Sequence, residues 1–338
     1  MARPSIFIAS PASARENNGN WQTASRWRRF LQRHHRVAIG AGWQPGDAVP
    51  DLLIALHARR SAAALAAFKA AHPDRPALLV LTGTDLYRDI RVDASARASL
   101  ELADAIVVLQ PRGLDELDAA ARAKAHVIYQ SAPRLRPAPA RRGATLDVAM
   151  VGHLREEKDP LTFMAAARLL ALPGLRLLHV GGALDASLGA AARETMARAP
   201  VYRWLGALPH APARRLLRRC HAMVIASRME GGANVIIEAV TCGVPVLASD
   251  IPGNRGMLGE GYAGYFAPGD AAALARLIER SRQDARFHAR LVRQCAARAR
   301  LFAPGREQAR LRDLVDNLLL PRARTAAPAT SRTEASHD

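Results

Sequence analysis

The sequence predicts an α/β chain made of two Rossmann-like, doubly wound domains that face each other across a cleft. Three observations carry this prediction. Short continuous apolar runs alternate with longer helical patterns, as expected of parallel strands covered on both faces and joined by right-handed crossovers. The alternation begins at Ser5–Ala9, breaks at a stretch rich in Pro, Arg and Ala, and begins again at Leu146–Val151. The length of 338 residues suits two cores, since a domain usually takes about 100–200 residues.

In the first half, Ser5–Ala9 reads as a buried strand and residues 21–32 as a helix with a basic outer face. Arg36–Gly40 and Leu52–Leu56 are strands, and residues 61–71 a helix with Ser61 as its N-cap. Ala77–Leu81 is a strand ending at Thr82-Gly83-Thr84-Asp85. Ala94–Leu102 is helical, residues 105–109 form a strand, a helix follows Pro111, and residues 127–129 close the half. The aperiodic segment 136–145 is the linker between a first domain of residues 1–135 and a second of residues 146–320. In that second domain Leu146–Val151, Leu175–Val180, 201–205, 222–226 and Val246–Ser249 are strands. Residues 160–170, 212–219 and 235–242 are helices, and further helices from about residue 271 to 319 close the domain. Residues 321–338, small and polar at their end, are expected to form a disordered tail.

Composition narrows the functional classes. The chain is 49% hydrophobic and 5% aromatic, with a formal net charge of +18. Its basic residues are nearly all arginine, with Lys69, Lys124 and Lys158 as the lysines. No zinc-finger spacing or aromatic-rich RNA-binding strand accompanies the charge, so no nucleic acid is expected; a basic cleft for a diphosphate explains it more simply. Cys220, Cys242 and Cys295 are too scattered for a disulfide framework or a zinc site. They point to a reducing, cytoplasmic setting. The apolar part of the amino terminus, residues 6–9, is shorter than a signal core of roughly 7–15 residues. No run approaches the ~18 apolar residues of a membrane span.

The strongest local signal is Ser227-Arg228-Met229-Glu230-Gly231-Gly232-Ala233-Asn234-Val235-Ile236-Ile237-Glu238. A strand delivers the chain to a glycine-rich loop that opens into a helix. Free N–H groups and a partial positive charge at such a helix start favour phosphate. Helical side chains lean towards the amino terminus, so Glu238 can point back at the same ligand and accept from a ribose diol. A tight turn with a solvent-facing Glu is the alternative for an isolated Gly-Gly, but it does not require carboxylates at both 230 and 238. The second signal is Val151-Gly152-His153-Leu154-Arg155-Glu156-Glu157-Lys158, between a strand and a helix. A cation there can neutralise a departing diphosphate, although alone the cluster also reads as a solvated charged turn. No Asp-x-Asp motif is present, so neither a metal nor another cofactor is expected.

Taken in order, Val-Gly-x-Leu-x-x-x-Lys, Gly181-Gly182 after a strand, Glu-x7-Glu around the glycine loop, and Ala248-Ser249-Asp250-Ile251-Pro252-Gly253-Asn254 resemble the retaining GT-B glycosyltransferases of family 4. The resemblance is dense over residues 147–268 and loose before them. It implies that the second domain binds a nucleotide sugar and the first the acceptor. It further implies Lys158 and Glu230 as catalytic groups, with Glu230 on the donor hexose and Glu238 on the ribose. Lys158 and the amides of Gly232, Ala233, Asn234 and Val235 would hold the phosphates, and Gly152, His153, Arg155 and Gly231 complete the donor-binding set. Residues 202–206 would flank the base. The family has Arg where this chain has His153, and Arg155 is the candidate replacement. Many members carry His-Gly-Thr-Asp near the acceptor; here Thr82 stands where that His would be.

A narrower match lies in residues 10–21 with their Asn17-Asn18-Gly19-Asn20 loop, in Thr82–Asp89 and in Glu230-Gly231-Gly232-Ala233-Asn234. These resemble the selenosugar synthases of selenoneine biosynthesis, in which selenophosphate attacks a UDP-sugar, usually UDP-N-acetylglucosamine. The missing histidine agrees with a nucleophile that is already anionic. The resemblance implies acceptor contacts from Arg15, Asn17, Asn18, Gly19, Asn20, Thr82, Thr84, Asp85 and Arg88. It also implies a functional link to an enzyme that produces selenophosphate. The alternatives are a family 4 enzyme using a sugar or lipid hydroxyl, a nucleic-acid-binding protein using the arginine excess, and an epimerase on the same architecture. His57 and His210 read as structural, His210 serving a helix start.

Overall fold

The computed structural model describes residues 3–13, 19–136 and 145–320. Most of the expected linker and the whole expected tail lie outside them. The first sheet holds β1 (Ser5–Ala9), β2 (Arg36–Gly40), β3 (Leu52–Leu56), β4 (Ala77–Leu81), β5 (Ala105–Val108) and β6 (Ala125–Val127). All pair in parallel in the order β2-β1-β3-β4-β5-β6. Every residue of β3 and β4 is buried, which is why both appear in the sequence as unbroken apolar runs. Helices α1 (Gly19–Leu31), α2 (Ala62–Ala71), α3 (Ile90–Val92), α4 (Ala94–Leu102) and α5 (Ala119–Ala123) connect the strands.

The second sheet contains β7 (Leu146–Val151), β8 (Leu175–Val180), β9 (Tyr202–Trp204), β10 (Ala222–Ile225), β11 (Val246–Ser249) and β12 (Tyr265–Phe266). It is again parallel, in the order β12-β11-β10-β7-β8-β9. Its helices are α6 (Pro160–Leu169), α7 (Ala186–Arg198), α8 (His210–Leu217), α9 (Asn234–Thr241), α10 (Pro252–Leu258), α11 (Ala271–Gln283) and α12 (Ala285–Arg298). Aspartates start most of the longer helices: Asp93, Asp159, Asp185, Asp270 and Asp284 each accept from backbone N–H groups one turn ahead. The two predicted doubly wound domains are thus present.

Several elements differ from their sequence expectation. Ser61 does not cap α2; its hydroxyl donates to Leu56 O at 2.7 Å. The last strand of the first sheet ends at Val127, two residues early, because Tyr129 leaves the sheet to donate to Gly256 O of the second domain. Residues 85–89, which the sequence assigns to no element, form a π-helical turn. The largest difference is α13 (Pro304–Leu319). Grouped by sequence with the second domain, it packs with Leu311, Leu314 and Val315 in the core beneath β1, β3 and β4 of the first.

That crossing is fastened by Glu307, which is 2% exposed. Its carboxylate accepts from Arg26 Nε at 2.9 Å, Trp27 Nε1 at 2.7 Å and the Ser131 hydroxyl at 2.5 Å. Glu307→Ala strands a buried guanidinium and an indole N–H. Chemical denaturation is expected to show a loss of about 3–5 kcal/mol, as for other buried pairs broken from one side.

Acid stability follows from the histidines. Burial depresses His179 to about 4 and, together with the neighbouring His288, brings His221 to about 4 as well. The fold therefore binds the neutral imidazoles, whereas the unfolded chain takes up protons below its ordinary value of 6.5. Their contribution is complete above pH 6.5 and is lost as the pH falls towards 4. For the fully buried His179 it amounts to about 3 kcal/mol. Urea denaturation at successive pH values across that window is expected to show stability falling steadily with acid.

Candidate active site

In open parallel sheets a ligand crevice forms beyond the strand ends where the strand order reverses. In the second sheet that point lies between β7 and β10, from which the chain departs to opposite sides. The segments leaving those two strands are the two sequence motifs, Gly152 to Lys158 and Ala226 to Asn234. The loops are stitched together. Arg228 N–H donates to Glu157 O at 2.9 Å, and its guanidinium lies 3.5 Å from the Asp159 carboxylate. Across them Lys158 Nζ reaches Glu230 Oε1 at 2.5 Å, with both side chains largely covered.

Glu230 is held from behind by the fourth motif. Ser249 donates to Ser227 O at 2.6 Å, and Asn254 Nδ2 donates to Ser249 O at 2.9 Å. A Cβ on Gly253 would stand 2.0 Å from Glu230 O, so only glycine lets the start of α10 press against that backbone. The conspicuous residues 248–254 thus position the glutamate from below. Residues 231–233 lead into α9, whose start carries no side-chain cap; its first N–H groups are available to an anion. Further along α9, Glu238 Oε1 lies 2.6 Å from His210 Nε2, at the start of α8. From sequence His210 reads as serving its helix start; in the structure it pairs with Glu238, the glutamate expected at the ribose. Only the fold brings α8 beside α9, and sequence spacing gives no signal of it.

His153 sits in the place of the family arginine. Its Nδ1 accepts from Gly182 N–H at 3.0 Å, which puts the ring proton on Nε2. Burial, followed by the Arg155 cation, lowers its pKa, so it is neutral near pH 7. Arg155 itself is 44% exposed at its side chain and lies 3.9 Å from Glu157. A Cβ on Gly152 would lie 3.7 Å from the Lys158 stem. In the stretch 202–206, Tyr202 is wholly buried and bonds His179 at 2.8 Å, so it is a core residue and not a wall for a base. Leu205 beside it is exposed.

The first domain supplies the opposite wall. A Cβ on Gly231 would meet Thr82 O at 2.3 Å, and one on Gly83 would meet Gly231 N at 3.2 Å. The Thr82-Gly83 and Gly231-Gly232 loops therefore touch backbone to backbone. Gly19, first residue of α1 and next to Asn20, faces Asn234 Nδ2 at 3.6 Å from its would-be Cβ. Arg15, Asn17 and Asn18 lie outside the described residues.

Asp85 requires a correction as an acceptor contact. It is 0% exposed and accepts from the N–H groups of Ala58, Thr82 and Gly83 at 2.8–2.9 Å. Its carboxylate shapes the loop and has no face left for a ligand. Arg88 is drawn to Asp89 at 3.0 Å, with its side chain half exposed. Thr84 Oγ1 bonds His57 Nε2 at 3.1 Å. His57 is 2% exposed with φ of 78°, its Nδ1 accepts from Arg60 N–H at 3.3 Å, and burial lowers its pKa despite Asp85 nearby. Its Nε2 therefore carries the proton and donates to Thr84.

The comparisons with known proteins agree with this fold. Glycogen synthase of Mycobacterium tuberculosis is 32% identical over 173 residues, which are 47% of this chain and 40% of that protein. The chain thus matches well under half the length of this relative. Among solved structures, Anabaena HepE in complex with UDP-glucose superposes with a TM-score of 0.73 at 17% identity, covering 94% of this chain and all of that one. Sucrose-phosphate synthase from Thermosynechococcus elongatus gives 0.75 at 16% identity, covering 94% and 99%. At such identities these likenesses speak for the fold, that of the GT-B enzymes. The decisive match is of residues 132–300, which span both motif loops, Glu230, Glu238 and the buttress behind them, to the model for glycosyl transferases group 1. The chain belongs to that family.

Proposed function

We propose that the protein transfers a hexosyl group, N-acetylglucosamine or glucose, from a UDP-sugar to selenophosphate, giving a 1-selenosugar for selenoneine biosynthesis. Lys158 and the open start of α9 would receive the diphosphate, Glu238 the ribose and Glu230 the hexose. The complexes of HepE with UDP and with UDP-glucose support a uridine donor. Selenium would attack C1 as the C1–O bond to the diphosphate breaks and UDP departs. Water then cleaves the Se–P bond, releasing phosphate and leaving the selenol.

The acceptor assignment rests on one observation. The loop that abuts Gly231 presents Thr82 where a histidine would be, and the imidazole bonded to that loop, His57, is buried, neutral and committed to Thr84. A hydroxyl acceptor gains from a base at its proton, whereas an anionic selenium centre needs none. Family membership supports the transferase chemistry, and the resemblance of residues 82–89 and 230–234 to selenosugar synthases supports the acceptor. The test is UDP release and product mass from UDP-N-acetylglucosamine and UDP-glucose, with and without fresh selenophosphate under anaerobic conditions. Selenophosphate-dependent release with a selenosugar mass is expected. UDP-sugar binding with no such turnover would instead assign a hydroxyl acceptor.

A further inference from the structure

Gln110 follows β5 in the first domain and is wholly buried. Both ends of its amide are bonded within that domain. Oε1 accepts from Arg112 N–H at 2.7 Å, and Nε2 donates to the Tyr87 hydroxyl at 2.9 Å. These two bonds fix the plane and the direction of the amide. Tyr87 belongs to the segment 82–89 expected on the acceptor side, so Gln110 is tied to that segment from behind.

The fixed amide lies on α10 of the second domain. A Cβ on Gly256 would stand 1.7 Å from Gln110 Oε1 and 2.5 Å from its Cδ. Gly256 is not among the residues at positive φ, so its bareness serves this contact and not the local chain. Gly253 lies three residues earlier on the same face of α10, and there a Cβ would stand 2.0 Å from Glu230 O and 3.1 Å from Glu230 Cβ. One glycine face thus carries Gln110 of the first domain and Glu230 of the second. The helix is pinned elsewhere too. Asn254 holds its start to Ser249, and Gly256 O accepts from the Tyr129 hydroxyl at 3.1 Å and from Arg298 Nη2 at 2.9 Å. Arg112, in the turn that Gln110 begins, donates to Glu260 just beyond α10 at 2.8 Å; that pair is exposed and stabilises little by itself.

We propose that Gln110 is a positioning residue for Glu230, acting through α10, so that the contact between the domains sets the glutamate against the donor hexose. The inference rests on the reading of Glu230 as the group that holds that hexose. A closely packed helical turn shifts as a unit, so a displacement at Gly256 arrives at Gly253 and from there at the Glu230 backbone. Docking of the first domain on α10 completes the hexose site, and parting of the domains loosens it. The same glutamine braces Tyr87, which keeps the acceptor side and the hexose side in register.

Calorimetry with UDP, UDP-N-acetylglucosamine and UDP-glucose separates the hexose contact from the nucleotide contacts. The readout is the Kd of each UDP-sugar divided by the Kd of UDP. Glu230→Ala is expected to raise this ratio by about tenfold, the loss of a hydrogen bond to a charged group. Gly256→Ala is expected to raise it by about as much with the Kd of UDP unchanged, and Gln110→Ala by less. In the double variant the colliding amide is gone and only the Cβ of residue 110 remains, 3.1 Å from the added methyl. The two changes share one contact and are therefore coupled, and the ratio is expected to return most of the way to that of the wild type. Losses that simply add in the double variant would assign both residues to packing and overturn the inference. A raised ratio in Glu230→Ala beside unchanged ratios in Gly256→Ala and Gln110→Ala would overturn it and leave the hexose reading standing. An unchanged ratio in Glu230→Ala would overturn both. Should Gly256→Ala not fold, Gln110→Ala decides by the same ratio.

Discussion

Lys158→Ala is expected to lower kcat by about two to three orders of magnitude, the usual cost of removing one preorganised charge-stabilising group. In the proposed reaction the loss belongs to the chemical step, because charge would build on the leaving diphosphate only as the glycosidic bond breaks. Without donor, Lys158 is paired with Glu230 at 2.5 Å, so a phosphate would have to share or take over that ammonium. Removing the lysine frees Glu230 and places an uncompensated carboxylate where the anionic leaving group must sit, which adds to the effect. Glu238→Ala provides the contrast. Its carboxylate bonds His210 on the far side of α9's first turn and would contact the ribose in ground and transition states alike. Such uniform binding appears mainly in KM and in the Kd for UDP. Steady-state kinetics with calorimetric UDP binding separates the two patterns. Full activity in both variants would exclude this loop pair as the donor site.

How much of this was legible in the sequence depends on the distance over which each feature is determined. Buried strands such as Leu52–Leu56 and Ala77–Leu81 declare themselves through composition, because both faces are covered and every position is apolar. The aspartate caps of α4, α6 and α7 are local as well. The site motifs could be read for the same reason: one loop, one helix start and one carboxylate a turn later lie within nine residues.

What could not be read depends on contacts between distant segments. Nothing near position 307 reveals that its glutamate will meet Arg26, Trp27 and Ser131, or that α13 will return to the first domain. His210 reaches Glu238 only because β10 carries the chain from α8 to α9. Asp85 resembles a ligand contact until three backbone N–H groups are found on its carboxylate. In each case the residue type indicated that a partner was needed, and only the topology identified it.

Gly231→Ala is expected to reduce turnover by about a hundredfold while leaving the melting temperature nearly unchanged. The added methyl would stand 2.3 Å from Thr82 O, 2.5 Å from Thr82 C and 2.8 Å from Gly83 N. All three are backbone atoms, so no side-chain rotation relieves the clash. Gly231 is not among the residues at positive φ, and alanine therefore fits the local chain of the second domain without strain. The conflict falls wholly on the contact between the domains, and the cleft must open to accommodate it. An opening of an ångström or so at the reacting groups is enough for a loss of that size, since positioning errors near 1 Å cost about a hundredfold. Open domains also admit water, which favours donor hydrolysis over transfer. UDP affinity should change little, because the proposed nucleotide contacts come from the second domain alone. Kinetics, calorimetry of UDP and small-angle scattering together check the expectation: lower kcat, similar Kd and a larger radius of gyration. Wild-type turnover in this variant would mean that the observed contact of the Thr82 and Gly231 loops is not the arrangement in which transfer occurs.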